Sequence, residues 1–196
     1  MFSLPCVIFA GGKSSRMGKD KALLPFASYS TLAEYQYSRV SKLFTQVYIV
    51  TKNSSKFPFQ ANFIEDDKSI EVYAPTAGFL TMFHQLKENR FFVLSVDAPF
   101  IDEKIITTLL AADKSDCDAT IAMTEDGIEP LCGIYHRSME KKFQQMLQEK
   151  NYKLGLLLQN AHTNFVSFKD KKPFFNCNYP HEYQEALTQL INPSLL

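Results

Sequence analysis

The sequence has no tryptophan, no surplus charge of either sign, no paired cysteines and no long apolar run, and each gap removes a class of protein. Its four cysteines, Cys6, Cys117, Cys132 and Cys177, never form a CxxC pair, which argues against a zinc site. Cys6 and Cys132 lie in apolar runs and read as reduced core thiols. Lys and Arg number 21 and so do Asp and Glu, so the chain lacks the basic excess of a nucleic-acid binder; a local basic site for a small phosphate ligand stays open. No run reaches the roughly 18 apolar residues that a membrane span needs. The start, Met-Phe-Ser-Leu-Pro-Cys-Val-Ile-Phe-Ala, lacks the cationic opening of a signal peptide. The expectation is a cytoplasmic protein without membrane or nucleic-acid partners. At 196 residues and 45% apolar content, one domain with a substantial core fits and two would be cramped.

What is present is alternation. Cys6 to Ala10, Val47 to Val50, Phe63-Ile64, Phe91 to Val96, Ala119 to Met123 and Leu131 to Tyr135 read as strands. Between and after them, Thr31 to Leu43, Ala77 to Leu86, Glu103 to Ala112, Ser138 to Glu149 and His181 to Leu190 read as helices. Thr31 and Glu34 have capping-box spacing, and Asp102 is placed to cap the third helix. Phe91 to Val96 is apolar except for Ser95, as a strand covered on both faces should be. Such alternation predicts an α/β fold: a single three-layer domain with a mostly parallel, Rossmann-like sheet. Ligands of such sheets bind beyond the carboxyl ends of the strands, so functional residues are expected directly after them.

The first strand ends in Gly-Gly-Lys-Ser-Ser-Arg-Met-Gly-Lys-Asp-Lys, residues 11–21. Gly11, Gly12 and Gly18 allow tight turns and close approach to a ligand. Lys13, Arg16, Lys19 and Lys21 face a single acid, Asp20. Backbone N–H groups and cations at a strand end suit a polyphosphate. A Walker A loop would need glycine at position 7, where Val7 stands, and GxGxxG is absent, so the loop follows another pattern and a P-loop GTPase is disfavoured. The strand Phe91 to Val96 runs into Asp97-Ala98-Pro99, and an aspartate there can hold Mg²⁺ against triphosphate oxygens. His84, His136, His162 and His181 form no ligand spacing and read as structural or surface residues.

Residues 9–25, FAGGKSSRMGKDKALLP, resemble the signature of nucleotidyltransferases acting on sugars, isoprenoid precursors and molybdopterin, and most of all that of the molybdenum cofactor guanylyltransferases. The resemblance extends along nearly the whole chain. Its Asp-x-Pro segment falls on Asp97, implying the metal ligand. Phe63-Ile64-Glu65-Asp66 is similar to a segment whose aspartate contacts the nucleotide, pointing to Asp66 with Asp67 as the alternative register. Ala74-Pro75-Thr76-Ala77-Gly78 stands where the family has Gly-Pro-Leu-Ala-Gly, and Val50 to Asn53 matches a segment with a nucleotide-contacting asparagine. Asn176-Cys177-Asn178-Tyr179-Pro180 resembles the family's Asn-x-Asn-Thr-Pro, which implies Asn176 and Asn178 against the acceptor. Glu129 stands where histidine is usual and takes no role from the resemblance.

The resemblance implies transfer of GMP from GTP to the terminal phosphate of molybdenum-molybdopterin, with Mg²⁺ as cofactor. Other molybdenum cofactor biosynthesis proteins or recipient apoenzymes would then be partners. Arg16, Lys21 and Asp97 would be catalytic. Phe9, Ala10, Gly11, Gly12, Lys13, Lys21, Asp66, Gly78 and Asp97 would bind GTP. The nucleotide would use roughly residues 1–110 and the acceptor roughly 111–196. Ala10-Gly11-Gly12, where cytidylyl relatives read Ala-Ala-Gly, favours guanine. A cytidylyltransferase, a sugar-phosphate nucleotidyltransferase and a non-catalytic nucleotide-binding module are the alternatives.

Overall fold

The computed structural model describes residues 1–12, 16–67, 70 and 75–191. The strands are β1 (Cys6–Phe9), β2 (Val47–Thr51), β3 (Asn62–Glu65), β4 (Arg90–Ser95), β5 (Ala119–Thr124), β6 (Gly127–His136) and β7 (Thr163–Ser167). The helices are α1 (Leu32–Val40), α2 (Pro75–Gln85), α3 (Glu103–Ala112), α4 (Glu140–Glu149), α5 (Leu154–Asn160) and α6 (Pro180–Ile191). The strands form one sheet in the order β3-β2-β1-β4-β6-β5-β7, parallel throughout except for β6.

Alternation along the strands sorts side chains into two cores. Cys6, Ile8, Phe92 and Leu94 face one side, where Leu32, Ile105 and Ala186 from α1, α3 and α6 cover them. Val7, Phe9, Phe91 and Val93 face the other, against Phe79, Phe143 and Leu158 from α2, α4 and α5. Each central strand therefore buries both faces, which is why it reads as a continuous apolar run.

Several expected boundaries shift. The first helix stops at Val40 and the fourth starts at Glu140, behind a 3₁₀ turn over Arg137–Met139. Thr31 caps α1 as expected, its hydroxyl accepting from Glu34 N at 3.0 Å. The Glu34 carboxylate turns instead to Ser30 N at 3.0 Å, so the cap is one residue wider than a strict box. The strand expected over Leu131 to Tyr135 begins at Gly127 and runs antiparallel, as half of a hairpin with β5. Its pairing with β4 covers only Cys132 to His136, so Glu129, Pro130 and Leu131 overhang the carboxyl end of β4. Pro130 falls where the β5–β6 register shifts, a place that tolerates its missing N–H.

Candidate active site

From β1 the chain moves outward to β2 and β3 and then returns to β4 on the other side of β1. That reversal opens a crevice at the carboxyl ends of β1 and β4, the place where doubly wound sheets hold ligands. Val96 N donates to Phe9 O at 3.1 Å, Ala10 N to Val50 O at 2.9 Å and Asp66 N to Thr51 O at 2.8 Å. The segments after β1, β3 and β4 are thus pinned along a single edge of the sheet.

Two cavities open there. The first, of about 170 Å³, is lined by Phe9, Ala10, Gly11, Gly12, Lys21, Asp66, Gly78 and Asp97 among others. These are eight of the residues expected to hold a nucleotide. Pro75 also lines it, so the first turn of α2, the end of a helix that favours anions, forms part of the wall. The second, of about 260 Å³, is lined by Glu129, Pro130, Leu154, Phe174, Asn176 and Asn178 among others. Ser95, Asp97 and Leu131 line both. Asp97 therefore stands in the partition between two compartments.

Its carboxylate is heavily engaged. Lys21 Nζ forms an ion pair with Asp97 Oδ2, and the Ser95 hydroxyl donates to Asp97 Oδ1. Lys21 Nζ also donates to Asn178 Oδ1 at 3.0 Å. Cys177 N donates to Asp97 O at 2.8 Å. The glycine-rich loop, the end of β4 and the segment before α6 thus meet at one charged centre, although they lie far apart in sequence.

Asp66 borders Gly11: a Cβ on that glycine would sit 3.7 Å from Asp66 Oδ2. Among the described residues Asp66 Oδ1 is buried with no hydrogen-bond partner. Burial pushes its carboxyl up from the ordinary range, and Lys52 opposes this. An orphaned acceptor in a cavity wall is unusual in a folded protein and suits a ligand N–H or hydroxyl. Neighbouring Asp67 is exposed, and of the two it is Asp66 that lines the first cavity.

Other expected residues stand elsewhere. Lys13 lies outside the described residues, as do Ser14, Ser15 and Ala74. Arg16 is exposed, its guanidinium 5.6 Å from the centre of the Tyr179 ring, so the glycine loop is tied a second time to the segment before α6. Asn53 caps the short 3₁₀ turn Ser54–Lys56, its Oδ1 accepting from Ser55 N at 2.9 Å, and lines neither cavity. Gly78 does not simply leave room for a ligand: a Cβ there would lie 2.7 Å from the Phe9 ring, so the glycine lets α2 close onto β1. His136 pairs with Asp113 at 2.9 Å, far from the site in sequence and role.

Two residues of the site carry no sequence signal of their own. Ser95 is the one polar residue of the apolar run Phe91 to Val96. Glu129 faces the second cavity, and burial, reinforced by Asp97 and Asp126, holds its carboxyl up at about 7, although a hydrogen bond with Asn176 works against the shift. Only the overhang of β6 past β4 brings it there.

The oxygens at the partition fit Mg²⁺. Asp97 offers a hard carboxylate, with the Ser95 hydroxyl and the Asn178 amide oxygen beside it. Mg²⁺ commonly takes one or two carboxylates and completes its shell with water and phosphate oxygens. No group of three or more His, Cys, Asp or Glu side chains suited to an all-protein metal cage occurs among the described residues. All four cysteines are buried free thiols. No helix among the described residues is long and apolar enough to cross a membrane.

Comparison with known proteins agrees with this geometry. Residues 6–163 match the MobA-like NTP transferase domain. A molybdenum cofactor guanylyltransferase of Campylobacter jejuni is 36% identical over 187 residues, 95% of this chain and 97% of the relative. One from Helicobacter pylori is 31% identical over 190 residues, 94% of this chain and 92% of the relative. The crystal structure of molybdopterin-guanine dinucleotide biosynthesis protein A from Archaeoglobus fulgidus has the same fold, with a TM-score of 0.81 at 21% identity over 96% of this chain and 99% of that one.

Proposed function

The chain belongs to the MobA-like NTP transferase domain family, and from that premise we propose how its two cavities serve the transfer of GMP from GTP to molybdenum-molybdopterin. It is a nucleotidyltransferase, and its product is molybdopterin guanine dinucleotide with pyrophosphate. The observation that carries the division of labour is Asp97, with Lys21 upon it, in the wall common to both cavities.

GTP occupies the cavity beside the glycine loop. The backbone of Gly11 and Gly12, together with Lys13 and Arg16, holds the β- and γ-phosphates, and the first turn of α2 adds its positive end. Asp66 presents its unpartnered oxygen to an N–H or hydroxyl of the nucleoside. The acceptor occupies the second cavity, with Asn176 and Asn178 as hydrogen-bonding groups. Its terminal phosphate is already anionic at neutral pH, so no general base is required. One of its oxygens bonds to the α-phosphorus of GTP, the bond from that phosphorus to the β-bridging oxygen breaks, and pyrophosphate departs with the electron pair.

Little covalent work falls to the protein; what matters is alignment and compensation of growing negative charge. Lys21 supplies a cation at the junction where both substrates converge. Mg²⁺, held by Asp97, would supply further charge neutralisation across the phosphates when bound. The four reduced, buried thiols suit a cytoplasmic setting, and the product would pass to apoenzymes that use the dinucleotide cofactor.

The direct test is incubation with molybdopterin, GTP and Mg²⁺ while pyrophosphate release is followed. Asp97→Asn keeps the side-chain shape and removes the charge. It should retain the fold, lose Mg²⁺-dependent GTP binding and lose most activity. Asp66→Asn should bind GTP more weakly and keep the wild-type Mg²⁺ dependence. An unchanged Mg²⁺ curve for Asp97→Asn would place the metal elsewhere.

A further inference from the structure

The loop that carries Asp97 is held from behind by one helix. Gln36 of α1 is fully buried, and its amide Nε2 donates to Ser95 O at 3.2 Å and Ala98 O at 2.8 Å. Its Oε1 accepts from Arg39 Nε at 3.1 Å and from the terminal Nη2 at 2.6 Å. Arg39 Nη1 in turn donates to Ile101 O. Three carbonyls spaced three residues apart, those of Ser95, Ala98 and Ile101, are thus bound by two side chains one helical turn apart. In front, Cys177 N holds Asp97 O at 2.8 Å.

We infer that Gln36 and Arg39 are positioning residues for Asp97, setting the place of its carboxylate through the backbone of the Ser95–Ile101 loop. The inference rests on the reading of Asp97 as the carboxylate that holds Mg²⁺ at the junction of the cavities. Loops ordinarily satisfy their carbonyls with water at the surface. Here the donors are an amide and a guanidinium taken out of water, and the hydrogen bonds of Arg39 among the described residues end on the neutral oxygens of Gln36 and Ile101. Burial lowers the proton affinity of that guanidinium, the mark of a charge placed at a cost. Such a support is of use where a side chain must keep its place against opposing pulls. Lys21 draws the Asp97 carboxylate toward the glycine loop, and Mg²⁺ accepts little departure from octahedral geometry. Displacement of a positioned group by about 1 Å costs on the order of 10²-fold in rate.

Gln36→Glu tests this, because it keeps the size, replaces the donor by a carboxylate facing two carbonyls, and gives Arg39 an ionic partner that helps the fold survive. Calorimetric titration with GTP, with and without Mg²⁺, is the first readout. Binding without Mg²⁺ should be unchanged, and the Mg²⁺ concentration for half-maximal enhancement should rise about tenfold. In turnover, kcat at saturating Mg²⁺ should fall about ten- to a hundredfold. Arg39→Lys, which leaves both bonds from Gln36 to the loop in place, should shift the Mg²⁺ requirement about two- to fivefold in the same direction. Leu109→Ala, a core truncation in α3, should lower the melting temperature and leave the Mg²⁺ requirement where it was. Gln36→Glu decides the matter where it folds, and Arg39→Lys decides it where Gln36→Glu does not. A wild-type Mg²⁺ curve in the deciding variant overturns the inference if Asp97→Asn has lost Mg²⁺ dependence. Retained dependence in Asp97→Asn would instead overturn the reading on which it stands.

Discussion

Lys21 and Asp97 keep only 14% and 13% of their side-chain surface in contact with solvent, so their charges act through a weakly screened recess rather than through bulk water. The reaction adds negative charge at that junction, so Lys21 should matter more to the transition state than to bound GTP. Lys21→Ala is expected to lower kcat by about 10²- to 10³-fold, the scale of one preorganised donor, with a much smaller change in the dissociation constant for GTP. Steady-state kinetics beside calorimetry separates the two effects. Glu129 offers a test through pH. Its carboxyl is held at about 7 against 4.5 in the unfolded chain, with Asp97 and Asp126 adding to the burial, Asn176 opposing it, and Lys171, Lys172 and Glu185 lining a cavity with it. A raised acid stabilises the fold below the unfolded value, and that stability is lost as pH rises through about 7. Glu129→Gln should therefore be more stable than the wild type at pH 8, by about 1–2 kcal/mol after allowance for the half-exposed carboxyl, and differ little at pH 4.5. Thermal unfolding at both pH values checks it. The contrast with the glycine loop shows what a sequence reveals at this scale. Gly11, Gly12 and Lys21 stand within eleven residues and declare a phosphate site by their chemistry. Glu129 has no such neighbours, and its meaning comes wholly from where the sheet places it.

At the scale of the element, the central strands and α3 were legible because burial on both faces, or a periodic apolar stripe behind an aspartate cap, leaves a direct trace in residue order. Three pieces left none. The first half of β6 reads Gly-Ile-Glu-Pro, with a proline and a charge where a central strand would have apolar residues, because it overhangs β4 and flanks cavities. The short α5, with no side-chain cap and four leucines in its seven residues, lacks the helical period. β7 is an edge strand of half-buried residues, too weakly patterned to stand out. Packing between elements makes a sharper prediction. α2 lies so close to β1 that a Cβ on Gly78 would be 2.7 Å from Phe9 and 3.0 Å from Val50. Phe9 cannot simply move aside, since it packs on Phe79 with ring centres 4.7 Å apart. Gly78→Ala should cost about 1–3 kcal/mol and weaken GTP binding, because α2, Phe9 and Val50 together wall the nucleotide cavity. In α5, a Cβ on Gly155 would, among the described residues, meet only Ile128 at an ordinary 3.5 Å, so Gly155→Ala should be neutral or stabilising by up to about 1 kcal/mol. Chemical denaturation of the two variants gives the comparison, and equal losses would show that helix-to-sheet closeness is not the cause.

Across the whole molecule, one sheet carries two contributions. β3, β2, β1 and β4, all from the first half of the chain, form one side, and β6, β5 and β7 form the other. The halves are locked together: Arg137, directly after β6, donates to the carbonyl of Phe83 in α2 and to those of Leu86 and Glu88 just beyond it. We therefore propose a functional rather than a structural division, with the nucleotide on the first half and the acceptor on the second. The two asparagines of the acceptor cavity separate these roles. Asn176 bonds Phe174 O and Glu129, both within the second half. Asn178 bonds Lys21 across the partition. Asn176→Ala should raise KM for the acceptor about tenfold, the scale of one hydrogen bond to a charged group, and leave GTP affinity intact. Asn178→Ala should disturb both substrates. GTP at a hundredfold its dissociation constant stabilises a folded binder by about 2.7 kcal/mol, so the rise in melting temperature with GTP reports the nucleotide cavity alone. That rise should be the same in Asn176→Ala as in the wild type, smaller in Asn178→Ala, and nearly absent in both the wild type and Asn176→Ala when CTP replaces GTP. An equal response to CTP would move the nucleotide assignment to the cytidylyl relatives and leave the reaction class intact. A loss of the GTP response in Asn176→Ala would mean that the cavities do not divide the substrates, because the bonds of Asn176 to Phe174 and Glu129 stay within the acceptor compartment.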